Sequence, residues 1–261
     1  MNKAVFEIKS NLKTKILGQN ILHFSTVTST NDVAKQYGNS GGANGTVVIA
    51  DNQTNGKGRL GRQWHTQQNS GIIMSVLLCP DINICDLSTV TMLTGMAVCR
   101  VVNKICPDRT FIKWPNDIII DKKKLCGILV EYSFCADKGN LIIGIGVNVD
   151  NSEFSDDIKH KATSIYLETK QHLNKNKIIA DILNELEVIL FENDFRFNDR
   201  LLCEYKNFCA NICSEVQFVR DNKIISGIAT DVDVSGGLVV RTENNQNYII
   251  SSGEVTVKNI Y

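Results

Sequence analysis

Leu87, Val90, Leu93, Ala97, Val98, Val101, Val102 and Ile105 recur at the spacing of one helix face and stop just before Pro107, which predicts a helix packed on a core. The same period predicts a long helix carrying Ile178, Ile182, Leu186, Ile189 and Leu190, and a shorter one with Leu201, Leu202, Tyr205 and Phe208. Elsewhere the apolar runs shorten to strand length: Ile21 to Phe24, Thr46 to Ala50, Ile72 to Leu78, Thr110 to Trp114, Ile118 to Asp121, Leu125 to Cys135 and Leu141 to Val149. Turns at Lys122 to Lys123 and Asp137 to Asn140 are short enough for hairpins, so the sheet is expected to be mainly antiparallel. Ser29, Thr30, Asn31 and Asp32 read as a helix start, with Ser29 as the cap and Asp32 at the third helical position. From Ile212 the texture changes to five short strand-like runs separated by Asp221-Asn222, Ser235-Gly236-Gly237 and Asn244-Asn245, which predicts a small barrel. The expected organisation is α+β, with a large unit over residues 1–211 and a small one over 212–261.

Composition narrows the partners. Lys plus Arg (28) equals Asp plus Glu (28), so no global positive field exists to hold a nucleic acid, and specific DNA binding is not expected. The first 15 residues mix Lys3, Glu7, Lys9, Lys13 and Lys15 with isolated apolar residues and lack a continuous apolar stretch; the expectation is a cytoplasmic protein without a membrane partner. The nine cysteines include no CxxC pair, which points to buried thiols rather than zinc ligands or disulfides.

Three segments carry candidate chemistry. Gln53-Thr54-Asn55-Gly56-Lys57-Gly58-Arg59-Leu60-Gly61-Arg62-Gln63-Trp64 sets three glycines and three cations within seven residues, inside a polar stretch of about 20 residues between two strands. Glycine allows close backbone approach and the cations neutralise phosphate, so a phosphate or adenylate loop is the functional reading, against a merely solvated basic loop. Lys113-Trp114-Pro115-Asn116-Asp117 and Lys124-Leu125-Cys126-Gly127 would bring two cations and a carboxylate to one end of the sheet. Gly144-Ile145-Gly146-Val147-Asn148 ends an apolar strand, where Gly144 and Gly146 would face one side and leave bare backbone for a flat ligand, or mark a structural bulge.

Taken in order, Ser29-Thr30-Asn31, Gln53 with Gly56 to Arg62 and Trp64, Lys113 to Asp117, Lys124 to Gly127 and Gly144 to Asn148 closely resemble the biotin protein ligases, from about residue 21 through the C-terminal strands. The resemblance implies a catalytic fold like that of class II aminoacyl-tRNA synthetases and lipoate ligases, followed by an SH3-like barrel. It implies ATP-dependent activation of biotin to biotinyl-5′-AMP with release of pyrophosphate. Biotin would then pass to a lysine of the biotin carboxyl carrier protein of acetyl-CoA carboxylase, and AMP would leave. By position it gives Ser29, Thr30 and Gln53 to the ureido ring of biotin, flanked by Gly144 and Gly146, with Asn31, Gly56, Lys57, Gly58 and Gly127 in the same binding set. Arg59, Arg62 and Lys124 resemble the phosphate and carboxylate contacts, and Asn116, Asp117 and Asn148 the nucleotide and metal side, with Asp117 toward Mg²⁺ and Trp64 bordering the adenylate. The implied catalytic set is Arg59, Lys113, Asp117 and Lys124, with Asp117 a candidate to orient the carrier lysine or accept its proton.

The sequence departs from the family pattern in the loop. Lys57 and Leu60 stand where well-known bacterial members carry arginine, which puts loop ordering and adenylate retention in question. Only about 20 residues precede Ile21, too few for the helix-turn-helix repressor domain of longer members, so the short form is expected. Activation of another acid, such as lipoate, and a non-catalytic binding module are the competing readings. A homodimer through the catalytic sheet, known in several bacterial relatives, stays open.

Overall fold

The computed structural model describes residues 2–79, 87–135, 138–251, 255–258 and 260. Seven strands form the larger sheet: β1 (Ile21–Phe24), β2 (Val47–Ala50), β3 (Gly71–Leu78), β4 (Thr110–Lys113), β5 (Asp117–Ile120), β6 (Lys123–Cys135) and β7 (Lys138–Asn148), in the order β1-β2-β3-β7-β6-β5-β4. The hairpins β4–β5, β5–β6 and β6–β7 are antiparallel, as their turns require. Asp121 and Lys122 take the β5–β6 turn with φ of 45° and 72°. The exception is β1, which pairs parallel to β2. Helix α2 (Thr30–Asn39) lies between those strands in the chain and makes the crossover that a parallel pair needs. The sheet is therefore mixed.

Strand alternation gives this sheet two different faces. Ile72, Met74, Val76, Leu141, Ile143, Ile145, Val147, Cys126 and Ile128 enter the main core. Helix α3 (Leu87–Ile105) and helix α5 (Lys175–Phe191) supply the opposing apolar stripes, much as their periodicity predicts. On the other face α2 covers one half of the sheet, where Ala34, Val48, Leu77 and Ile142 form a small separate cluster. The other half of that face is left for the site.

Two short helices complete this part, α4 (Ile165–Thr169), capped by Ser164 through Leu167 N–H, and α6 (Asp199–Phe208), capped by Asn198 through Leu201 N–H. Helix α1 (Lys3–Asn11) has no counterpart in the sequence reading. Ile8 is its one buried residue, too little for a stripe, and the helix is fixed by distant partners: Asn176 Nδ2 donates to Glu7 at 2.8 Å. Of the cysteines, Cys99, Cys106, Cys126 and Cys209 are buried as expected, but Cys203 and Cys213 are exposed thiols; these six and Cys79 are free.

The C-terminal strands are β8 (Glu215–Arg220), β9 (Lys223–Val232), β10 (Leu238–Arg241), β11 (Asn247–Ile250) and β12 (Val255–Val257), ordered β11-β10-β9-β8-β12. The expected SH3-like barrel is not formed: among the described residues no ladder joins β11 to β12, and the sheet stays open. Its inner residues Val216, Phe218, Ala229, Val232, Leu238 and Val240 belong to the same core as α3, so the apolar face is buried without the sheet closing on itself. Polar contacts fasten the same seam. Trp114 Nε1 donates to Gly236 O at 3.0 Å, and Ser88 Oγ to Ser251 O at 3.1 Å. Among the described residues, no helix is long and apolar enough to cross a membrane.

Candidate active site

Strand register builds the floor of the site. Lys113 pairs with Asp117, Asp117 with Gly127, Gly127 with Gly146 and Gly146 with Ile73, so five strands contribute one transverse row on the face that α2 leaves uncovered. The row runs from charged to bare to apolar. Above it lies a cavity of about 630 Å³. Ser29, Thr30, Asn31, Gln53, Lys57, Gly58, Arg59, Arg62, Trp64, Lys113, Asn116, Asp117, Lys124, Gly127, Gly144, Gly146 and Asn148 all line it. Of the binding residues anticipated from sequence, Gly56 alone is outside that lining; it borders a neighbouring recess beneath the same loop.

Several of these residues are placed differently from the simple reading. Ser29 is the N-cap of α2, yet its side chain makes no cap bond; Gln53 Oε1 takes Thr30 N–H at 2.7 Å instead. The Ser29 hydroxyl is thereby left at the cavity wall, 2% exposed. Asp32 does not close a capping box: it is ion-paired with Lys57 and ties the glycine-rich loop to α2. The two glycines of β7 make room for the protein's own side chains. A Cβ on Gly144 would lie 2.3 Å from Asn31 Oδ1, and one on Gly146 would lie 2.5 Å from Trp64 Cε2. Bare backbone here seats an amide and an indole, while both glycines also line the cavity.

The loop from Gln53 to Trp64 folds back on itself. Gly58 N–H donates to Arg62 O at 2.8 Å, Trp64 N–H to Gly56 O at 2.9 Å, and Leu60, exposed at the tip, sits at φ 55°. From the loop Arg59 Nη1 reaches Asn116 Oδ1 at 2.9 Å. Asn116 is held in turn by its Nδ2 donating to Ile128 O at 3.1 Å. Burial holds the Arg59 guanidinium below its ordinary value, opposed by Asp117.

At the charged end Lys124 Nζ lies 2.6 Å from Asp117 Oδ1 and 5.8 Å from the centre of the Trp64 ring. Lys113 is pushed down to about 8, chiefly by burial; Asp117 opposes the shift, and Lys124, Arg62 and Lys161 reinforce it. Cations thus outnumber the one carboxylate of the cavity lining, which suits a polyanion. Two buried polar atoms of the lining have no hydrogen-bond partner among the described residues: Trp64 Nε1, a donor, and Asn148 Oδ1, an acceptor whose residue is only 4% exposed. Asn148 Nδ2 donates to Thr163 O at 3.1 Å, which fixes the orientation of the amide.

Sequence reasoning passed over Lys161, Phe154, Ile158 and Thr256, which also line the cavity. Lys161 is brought in by a short parallel bridge, with Lys124 N–H donating to Lys161 O at 2.7 Å. Thr256 comes from β12, so the C-terminal sheet supplies part of the wall. These contacts join segments distant in sequence, and no local pattern announces them.

Comparison with known proteins agrees with this arrangement. The chain matches the Biotin/lipoate A/B protein ligase family over residues 23–148 and the Biotin protein ligase C terminal domain over residues 214–258. It is 33% identical over 255 residues to the bifunctional ligase/repressor BirA of Bacillus spizizenii, covering 94% of this chain and 77% of that protein. To the biotin acetyl-CoA-carboxylase ligase of Mycobacterium tuberculosis it is 29% identical over 235 residues, covering 87% and 85%. Among solved structures it is similar to the biotin protein ligase from Aquifex aeolicus in complex with biotin and ATP, with a TM-score of 0.80 and 28% identity over 92% of this chain and 99% of that one. The chain therefore belongs to the biotin protein ligase family.

Proposed function

We propose that this chain joins biotin to ATP as biotinyl-5′-AMP, releasing pyrophosphate, and then transfers biotin to a lysine of a biotin carboxyl carrier protein, releasing AMP. The observation that carries this reading is the transverse row. Its charged end, with Lys113, Asp117 and Lys124, shares one cavity with the polar start of α2 and with Arg59 of the loop. An acid with an uncharged polar ring and a nucleotide could lie end to end there, the carboxylate against the α-phosphorus.

In this reading Ser29, Thr30, Asn31 and Gln53 surround the ring of biotin, and Lys124, Arg59 and Arg62 neutralise the carboxylate and phosphates during in-line attack. Asn116 fixes Arg59. The orphan acceptor Asn148 Oδ1 suits an exocyclic amino group such as that of adenine, and Trp64 supplies a flat side to the nucleotide. In the second half-reaction the neutral amine of the carrier lysine attacks the anhydride carbonyl and AMP departs. Asp117, ion-paired with Lys124, is placed to orient that amine. Residues 1–211 would carry the chemistry, and residues 212–261 would close one side of the cavity.

The donor set does not fit a resident metal. Among the described residues no group of three or more His, Cys, Asp or Glu side chains comes together, and Asp117 already pairs with Lys124. Mg²⁺ would arrive with the substrate as MgATP, and Asp117, paired with Lys124, is the one carboxylate of the cavity lining that could face it. The deciding experiment is exchange of labelled pyrophosphate into ATP with biotin, with lipoate and with neither. Biotin-dependent exchange is expected; lipoate-dependent exchange would move the activity to the other branch of the family, and none at all would leave a binding module.

A further inference from the structure

A hydrogen-bond chain ties the first turn of α2 to β6, and its far end, Glu131, lies outside the cavity lining. Asn31 Nδ2 donates to Glu131 Oε2 at 2.6 Å. Asn31 Oδ1 is 2.6 Å from Ser75 Oγ on β3, and Ser75 Oγ is 2.7 Å from Thr30 Oγ1. Thr30 N–H donates to Gln53 Oε1 at 2.7 Å, and the Thr30 hydroxyl lies 3.1 Å from that same oxygen. Ser75 is 0% and Asn31 5% exposed, so bulk water is not at hand to replace a lost partner.

Counting protons gives the chain a direction. A carboxylate accepts and does not donate, so the Asn31 atom facing Glu131 is the amide nitrogen and the one facing Ser75 is the amide oxygen. That oxygen only accepts, and it takes the single proton of Ser75. The 2.7 Å contact between Ser75 and Thr30 then requires the Thr30 hydroxyl as donor. The Thr30 proton therefore goes to Ser75 Oγ and points inward, and a lone pair of Thr30 faces the cavity.

We propose that Glu131 is a positioning residue that sets the hydrogen-bond polarity of the ring pocket, making Thr30 an acceptor for a ring N–H of a cyclic urea. Without Glu131 only the long 3.4 Å contact from Asn31 Nδ2 to Leu129 O holds the amide, which can then turn over and give its N–H to Ser75 Oγ. Ser75 then gives its proton to Thr30, whose own proton can turn to Gln53 Oε1 or to the ligand, so the lone pair offered to the ring is no longer fixed. The proposal rests on the reading of this cavity as a biotin site, and the test separates the two.

Biotin binding is measured by calorimetry, and KM for biotin and for ATP by pyrophosphate exchange, for the parent, Glu131→Leu, Glu131→Gln, Ser75→Ala and the Glu131→Leu/Ser75→Ala pair. A parent that fails to bind biotin removes the biotin reading itself. Given binding, Glu131→Leu is expected to weaken biotin about tenfold or more while KM for ATP stays within about twofold. Glu131→Gln, whose amide oxygen still accepts from Asn31, should stay within about threefold of the parent. The double variant should be no weaker than the worse single, because both break one chain. Should Glu131→Leu not fold, Glu131→Asp, which withdraws the carboxylate from Asn31, takes its place with the same expectation. Parent-like biotin affinity in the Leu or Asp variant, a Gln variant as impaired as Leu, or fully additive losses would each overturn the proposal.

Discussion

Lys113 should give adenylation a basic limb that this side chain alone controls. Its ammonium is pushed down to about 8 by burial, against an ordinary lysine value of 10.5. A lysine titrating there is about 90% charged at pH 7 and about 10% charged at pH 9. The charged form is the one that helps hold triphosphate, so the sign is fixed: kcat/KM for ATP falls as pH rises through about 8. If the neutral form contributes nothing, the fall between pH 7 and 9 is about tenfold. ATP does not supply this step, since phosphate monoesters complete their ionisation near pH ~6. The ratio kcat/KM is the right readout because it reports the free enzyme, whereas bound triphosphate would itself hold Lys113 protonated. The assay is biotin-dependent pyrophosphate exchange at ATP well below KM, from pH 6.5 to about 9.5. Lys113→Arg stays charged throughout and should flatten the profile; Lys113→Met should be flat and low. An Arg variant that kept the parent's inflection near 8 would show that another group titrates and would refute the reasoning.

Three further outcomes follow from named contacts. Asn148→Ala removes the buried orphan acceptor and should lower kcat/KM for ATP about tenfold or more, while calorimetry shows biotin affinity little changed. Gly146→Val drives a side chain into the Trp64 indole, 2.5 Å from the position of its Cβ; loss of the ordered loop should appear as a red shift in tryptophan emission and rapid escape of labelled biotinyl-AMP. Trp114→Phe loses the bond to Gly236 and should cost about 1–3 kcal/mol in urea unfolding, with truncation after Asn211 costing far more because the core runs continuously into the C-terminal sheet. Equal midpoints for Trp114→Phe and the parent would contradict that account.

Periodicity carried much of the frame. Helices α3, α5 and α6 fall where apolar residues recur every three to four positions, and the β4 to β7 hairpins where short runs meet tight turns. What it could not supply was partner choice. Ser29 sits at the predicted cap position, yet Gln53 from another segment takes the N–H of Thr30. Gly144 and Gly146 share a face as their spacing requires, but only the tertiary packing decides that Asn31 and Trp64 fill the room. The open C-terminal sheet has the same cause. Its strands are visible one by one, whereas closure depends on tertiary packing, and the inner residues of this sheet already join the main core. Helix α1 escaped notice because polar bonds from Asn174 and Asn176 to Glu7 fix it, rather than an apolar stripe.

The seam at Trp114 has a thermodynamic reach beyond the site. Its indole is held by Gly236, its backbone N–H donates to Asn211 at 2.7 Å, and its chain neighbours Lys113 and Pro115 line the substrate cavity. A ligand that binds this strand-turn segment only when it is ordered raises the free energy needed to detach the C-terminal sheet, by the linkage that couples binding to local unfolding. Saturation with nucleotide therefore protects the tail of the chain from proteases that never touch the nucleotide, and the affinity gained on one side of Trp114 is shared with the stability of the other.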